Sequence, residues 1–245
     1  MPVDSILPDK SATEFPRILV VDDDPSIVRL VSSKLDLSGY RVMTAFSGQE
    51  ALDRISQDGL PHLAIVDINM PQMDGFEFCK IVQQFADLPV ILLTAVDQEE
   101  VVIQGIEHFA EDYVTKPFSP RELMARVGRV LRRMGDFAYT LDPVIRVDKR
   151  LSVDFVHQQV ILDGEIVTLT PTETKILFIL MRNAGRTVTN DFLLRRIWPL
   201  DEIFEDTLRV HIHRLRQKIE SKEGETKYVG TERGIGYRFL VKAQA

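Results

Sequence analysis

Hydrophobic positions over residues 16–133 follow two alternating rhythms. Short continuous apolar runs, ILVVD (18–22), LAIVD (63–67) and VILLT (90–94), are separated by longer stretches in which apolar residues return every three or four positions. A continuous run predicts a strand buried on both faces, as in a parallel sheet covered by helices. A three-to-four spacing predicts an amphipathic helix. The predicted strands are Arg17–Asp22, Arg41–Ala45, His62–Asp67, Pro89–Thr94 and Asp112–Thr115, and the predicted helices are 25–38, 48–57, 75–86, 98–108 and 119–133. Five such units make a small doubly wound, flavodoxin-like (βα)5 α/β domain.

The pattern changes on either side of this unit. Residues 1–15 are polar and lack periodicity, which predicts a mobile tail. Residues 134–143 (MGDFAYTLDP) read as a linker, and 144–245 as a second domain of α+β type. There, two short strand-like stretches cover 144–168. Thr170-Pro171-Thr172-Glu173 then spells a capping box ahead of the apolar run Lys175–Arg182, with Pro171 at the first helical position. Further helices are predicted at 189–197 and 205–220, and a hairpin over 228–241 turning at Arg233-Gly234.

Charge divides the same way. The chain of 245 residues has a net charge of -7; residues 1–135 hold 13 Lys+Arg and 21 Asp+Glu, and residues 136–245 hold 17 and 16. An acidic module joined to a near-neutral one predicts two different partners. Cys79 is the sole cysteine, which excludes an intrachain disulfide and a thiolate zinc cluster and fits a reducing cytosol. Its apolar helical surroundings predict a small packed residue. No apolar run reaches the ~18 residues of a membrane span.

Ligands of a parallel α/β sheet bind outside the carboxyl ends of its strands. Asp22 and Asp23 end the first predicted strand, Asp67 the third and Thr94 the fourth, and Lys116 follows the fifth. Three carboxylates at one point repel one another unless a cation lies among them, and oxygen ligands with water suit Mg²⁺. A lysine and a hydroxyl beside them would meet phosphoryl oxygens. The set therefore points to an aspartyl phosphate. Asp24-Pro25-Ser26 contains the cap of the first helix.

The segments VVDDD (20–24), VDINMPQMDG (66–75), LLTA (92–95) and DYVTKPFSP (112–120) resemble the receiver domain of two-component response regulators, across 16–133. The resemblance implies Asp67 as phosphoacceptor, and Asp22, Asp23, Asp67 and the Asn69 backbone carbonyl as Mg²⁺ ligands. It implies that Thr94 and Lys116 bind the phosphoryl group, with Tyr113 as the aromatic switch. It also implies a sensor histidine kinase as donor and a cytoplasmic location.

In the second domain, EDTLRVHIHRLRQKIE (205–220) puts apolar residues at 208, 212, 215 and 219, one core stripe. Thr207, Val210, Arg214 and Gln217 then lie on the far face, with Arg209, Arg216 and Lys218 flanking the stripe. A helix for the major groove followed by an Arg-tipped hairpin for the minor groove is a winged-helix arrangement. LTPTETKIL (169–177), GRTVTNDFLLRRIW (185–198), TLRVHIHRLRQKI (207–219) and TERGIGYRF (231–239) resemble the OmpR/PhoB winged-helix effector domain, over roughly 144–241. By that resemblance Val210 and Arg214 face base edges of double-stranded DNA. His211, His213, Arg216 and Thr231 sit near phosphates, Arg233 enters the minor groove, and Trp198 packs the helical core. RNA polymerase is the implied further partner, and a phosphorylation-dependent homodimer the implied assembly.

That dimer is formed in the family by the helix, strand and helix predicted here at 98–108, 112–115 and 119–133. Glu111, Asp112, Glu122 and Arg126 match its pattern. Val101, Val102 and Phe109 depart from it, standing where an acid, a base and a glycine are usual. In the effector helix, Asp206 and His213 stand where bases are common, and Arg209 where an acid is. Two other readings have different consequences. A haloacid-dehalogenase-type phosphatase needs a second acid two residues after its nucleophile, where this chain has Asn69. A regulator independent of phosphorylation would not need the intact acidic set. The sequence therefore reads as a phosphorylation-controlled transcription regulator and not as an enzyme.

Overall fold

The computed structural model describes residues 15–95, 110–134, 142–198, 204–220 and 227–240. Residues 1–14 of the tail predicted over 1–15, the helix at 98–108 with Val101, Val102 and Phe109, and most of the linker lie outside the described residues. Five strands, β1 (Arg17–Val21), β2 (Arg41–Ala45), β3 (Leu63–Asp67), β4 (Val90–Ala95) and β5 (Asp112–Lys116), form a sheet in the order β2-β1-β3-β4-β5. Every neighbouring pair is parallel.

Alternation along these strands builds two cores. Leu19, Val21, Ala64, Val66 and Leu92 face helices α2 (Gly48–Asp58) and α3 (Gly75–Val82), which contribute Ala51, Ile55, Phe78 and Val82. Ile18, Val20, Leu63, Ile65, Ile91 and Leu93 face α1 (Pro25–Leu37) and α4 (Pro120–Met134), through Val31, Leu35, Leu123 and Val127. A strand buried on both faces has no polar side to show, which is why these strands read as unbroken apolar runs. The α3 helix ends at Val82, four residues short of the expected boundary. Its last turn loosens into bonds from Gln84 and Phe85 N–H to carbonyls three residues back.

His62, to which the sequence reading gave no role, ties the lower ends of β1 and β3 together. Its Nδ1 accepts from Arg17 N–H (3.0 Å) and its own N–H donates to Arg17 O (2.7 Å). Burial, and then the Arg17 charge, push its pKa down to about 4 from the ordinary 6.5. Between these values the unfolded chain binds a proton that the folded chain refuses. Stability is therefore full above pH 6.5 and falls as pH drops towards 4. The expected loss is about 2 kcal/mol, below the full linkage value because the ring is only partly buried. Urea titrations at stepped pH check this. His62→Asn should remove that part of the slope, and an unchanged slope would contradict the assignment.

Among the described residues, the second domain holds four-stranded and three-stranded antiparallel sheets around three helices. Strands β6 (Ile145–Arg146), β7 (Leu151–Asp154), β8 (Gln159–Leu162) and β9 (Glu165–Thr168) form a meander, where the sequence suggested two stretches. Helices α5 (Pro171–Arg182), α6 (Asn190–Ile197) and α7 (Glu205–Ile219) follow. The last sheet is β10 (Thr187–Thr189), β12 (Gly236–Phe239) and β11 (Val229–Glu232), in that order. The capping box forms: Thr170 Oγ1 accepts from Glu173 N–H (3.3 Å), and Glu173 Oε2 from Thr170 N–H (2.8 Å). From Glu173 to Met181, α5 is buried all round, which makes it the domain's central helix. Among the described residues no helix is long and apolar enough to cross a membrane.

Candidate functional site

The order β2-β1-β3 places the chain reversal between β1 and β3, and the carboxyl ends of these strands hold the acidic set. Asp22 is fully buried, Asp67 is 3% exposed and Asp23 is open to solvent. One carboxylate oxygen from each lies within 4.8 Å of the others. Asp24 caps α1, accepting from Ser26 N–H at 2.7 Å, so it is spent locally. Lys116, at the end of β5, bridges two of the acids, with Nζ 2.7 Å from Asp22 Oδ2 and 3.0 Å from Asp67 Oδ2. The following peptide, Lys116–Pro117, is cis.

Electrostatics make the cluster costly without a cation. Burial pushes the Asp67 pKa up, opposed by its Lys116 partner and reinforced by Asp22. Burial works against the Lys116 charge, yet hydrogen bonds to Asp22 and Asp67 hold its pKa above the usual value. The second Asp67 oxygen, Oδ1, is buried with no hydrogen-bond partner. An unsatisfied buried carboxylate oxygen costs stability, and a divalent ion among Asp22, Asp23 and Asp67 would satisfy it. The donor set is all oxygen, as Mg²⁺ prefers.

Thr94 lies buried on the adjacent strand β4 and turns its hydroxyl to Ala95 O (3.2 Å). Tyr113 is 41% exposed on β5, and Asn69 is exposed two residues beyond Asp67. Gly75 is a residue that sequence reasoning missed. Its N–H donates to Ile68 O (3.0 Å), and a Cβ there would lie 2.4 Å from Asp67 O. The start of α3 therefore rests on the Asp67 backbone at a distance only glycine allows.

The four residues matched to the family's dimer surface are engaged within the chain. Asp112 pairs with Arg126 (2.9 Å) and Arg129, and Glu122 pairs with Arg126 (2.7 Å). Glu111 pairs with Arg196 of the second domain (2.5 Å), which also holds Asp87 (3.0 Å), while Arg182 donates to Asp87 O (2.9 Å). Asp87 carried no signal in its own sequence neighbourhood, since its partners lie about a hundred residues away.

On α7, Leu208, Ile212, Leu215 and Ile219 are buried as the stripe predicts. Thr207, Val210, His213 and Arg214 are exposed beside it, as are Thr231 and Arg233 of the hairpin. His211 is half-buried against the Trp198 ring (centroids 5.4 Å apart), and its Nδ1 has no partner. Burial and the Arg214 charge lower its pKa. The flanking cations are not free. Arg209 pairs with Asp206 (3.0 Å) and Glu205 (3.5 Å). Lys218 reaches the buried Glu173 (2.7 Å) and Thr168 O (2.9 Å). Burial raises the Glu173 pKa, but its bonds to Lys218 and Thr170 outweigh it and leave the group below the usual range.

A parallel flavodoxin-like domain with an acidic cluster at its strand ends, followed by a winged helix, defines a phosphorylation receiver joined to a DNA-binding module. Comparison with known proteins agrees. The family described as response regulator receiver domain matches residues 18–128, and that described as transcriptional regulatory protein, C terminal, matches 164–239. The alkaline phosphatase synthesis transcriptional regulatory protein PhoP of Bacillus subtilis is 39% identical over 232 residues, covering 91% of this chain and 95% of that one. The transcriptional regulatory protein KdpE of Mycobacterium tuberculosis is 38% identical over 223 residues, covering 91% and 98%. The crystal structure of DrrB, an OmpR/PhoB homologue of Thermotoga maritima, is 34% identical with a TM-score of 0.44, covering 92% and 99%. The chain belongs to the OmpR/PhoB family of two-component response regulators.

Proposed function

We propose that Asp67 accepts a phosphoryl group from the phosphohistidine of a sensor kinase, and that this modification controls dimerisation and sequence-specific DNA binding. The role is regulatory, not enzymatic, and the reading places the protein in the cytoplasm with RNA polymerase as downstream partner. The observation that carries it is the buried, partnerless Asp67 Oδ1 set between Asp22, Asp23 and Lys116.

In the transfer, an Asp67 carboxylate oxygen forms a bond to phosphorus as the phosphorus–nitrogen bond of the donor breaks. The histidine nitrogen keeps the electron pair and takes a proton from solvent. Asp22, Asp23, Asp67 and the Asn69 carbonyl would hold Mg²⁺, which when bound neutralises charge on the phosphoryl oxygens. Lys116 contributes a fixed positive charge to the same oxygens, and Thr94 can swing its hydroxyl from Ala95 O towards them. The added charge of about -1.5 to -2 interacts with these groups only in the modified state, and that difference can shift a conformational population. Tyr113, exposed here, is the side chain that would follow Thr94 inward.

DNA would be read by Val210 and Arg214 at base edges, from the helix face that also holds Thr207, with His211, His213, Arg216 and Thr231 near phosphates and Arg233 in the minor groove. Intact-mass measurement after incubation with Mg²⁺ and a small-molecule phosphodonor tests the first step. One added phosphoryl group is expected on the wild-type chain and none on Asp67→Asn. Modification of the variant, or none on the wild type with donors and kinase alike, would overturn the reading.

A further inference from the structure

Two side chains one helical turn apart on α7 reach out of the helix to the same residue of the hairpin. Arg216 donates from Nε and Nη2 to Val229 O (3.1 and 2.8 Å), and from Nη2 to Thr231 Oγ1 (2.7 Å). Its guanidinium lies 5.8 Å from the centre of the Tyr237 ring on β12. Glu220, the residue that closes α7, accepts from Val229 N–H and from Tyr228 N–H, both at 2.9 Å on Oε1. The backbone N–H and C=O of Val229 are thus held by an acid and a base from one helix, at the point where β11 begins. Glu220 N–H in turn donates to Arg216 O (2.8 Å), so the two clamp residues are also joined through the helix end.

We infer that Arg216 and Glu220 form a clamp that sets the hairpin's position relative to the recognition helix, making them positioning residues for DNA binding. The inference rests on the DNA-binding reading and departs from it at one residue: the Arg216 fork is turned onto the wing and not towards a phosphate. Arg214 on the helix and Arg233 at the hairpin tip are exposed, and they must enter neighbouring grooves together. Their spacing depends on how α7 and β11 are joined. A planar five-donor fork suits the paired carbonyl and hydroxyl, whereas a lysine offers a single point of contact.

The test exploits the acid. Near a polyanion, removing a negative charge should strengthen binding by electrostatics alone. The clamp predicts the opposite for Glu220→Ala. The full chain would be measured on a duplex enriched by the wild-type protein from a random-sequence pool. Glu220→Ala should bind that duplex about tenfold more weakly, the cost of about one net hydrogen bond. Glu220→Gln, which keeps the accepting oxygen, should restore most of the affinity. Arg216→Lys should lose affinity while the slope of log K against log salt stays as in the wild type, because the charge is retained and no phosphate contact is lost.

Amide exchange in the free protein supplies the independent reading. Exchange over Tyr228–Glu232 should quicken in Glu220→Ala while the buried amides of α7 stay protected, which also controls for folding. Unchanged or tighter binding by Glu220→Ala with wild-type exchange would overturn the clamp. So would wild-type affinity in Arg216→Lys beside a slope lowered by about one in Arg216→Met, the signature of a phosphate contact. If the wild-type protein enriches no duplex, the DNA-binding reading falls and the clamp's role in recognition with it, while exchange still reports the contacts themselves.

Discussion

Replacing Lys116 with methionine is expected to destabilise the metal-free protein by about 3–5 kcal/mol, the usual consequence of leaving buried charge without its partner. Lys116 Nζ is the counter-charge for both Asp22 and Asp67, at 2.7 and 3.0 Å, and these side chains are 0% and 5% exposed. Methionine conserves most of the aliphatic stem, so the loss reads the charge and not the packing. Because a divalent ion could take over the same neutralising task, millimolar Mg²⁺ should restore a large part of the lost stability by binding the folded state alone. Thermal melts of both proteins with and without Mg²⁺ provide the check. A variant that melts with the wild type and ignores Mg²⁺ would mean that the acids are compensated elsewhere.

The second large effect concerns the wing. Gly236 lies in β12 where it pairs with Thr189 of β10, and a Cβ at that position would stand 1.9 Å from Val188 O and 2.8 Å from Thr189 Cα. Both obstacles are backbone, so no rotamer change relieves them. Gly236→Ala should cost about 2–3 kcal/mol by overpacking and force β12 away from β10. The hairpin carrying Arg233 moves with β12, so DNA affinity should fall at least about tenfold, while phosphoryl acceptance at Asp67 stays intact. Urea denaturation together with a DNA titration measures both. An alanine variant with wild-type stability and wild-type DNA binding would contradict the packing argument.

The receiver was legible in the sequence because its signals are local. LAIVD and VILLT are unbroken apolar runs of strand length, as strands buried on both faces give, and a parallel sheet then delivers Asp22, Asp67, Thr94 and Lys116 to one end. The stripe at 208, 212, 215 and 219 was equally readable, since helical spacing decides which residues go inside. What escaped notice was of two kinds. Very short elements carry too little periodicity: β10 has three residues, and β6 has two, so 144–168 read as fewer strands than it holds.

The other kind is a long side chain whose partner is distant in sequence. Spacing placed Arg216 and Lys218 beside the stripe. It did not tell that Arg216 folds back onto Val229 and Thr231, or that Lys218 finds the buried Glu173 forty-five residues earlier. His62 and Gly75 belong with these, because their roles lie in backbone contacts to Arg17 and Asp67 that no side-chain pattern announces.

Those tertiary ties bear on regulation as well. Glu111, a residue the family resemblance gives to the dimer, is held by Arg196 of the second domain. A dimer built on Glu111 would have to release that pair. The pair is half-buried and Arg196 also holds Asp87, so the phosphoryl group's new contacts would have to offset its release.

The central claim is that the chemistry at Asp67 governs binding at α7 and the wing. The affinity of the full chain for its enriched duplex, compared before and after phosphorylation and for Asp67→Asn treated identically, tests it most directly. The account predicts at least about tenfold tighter binding by the phosphorylated wild-type chain, a coupling of 1.4 kcal/mol or more, and no change for the variant. Equal affinity in all three samples, with phosphorylation of the wild type verified by mass, would contradict it.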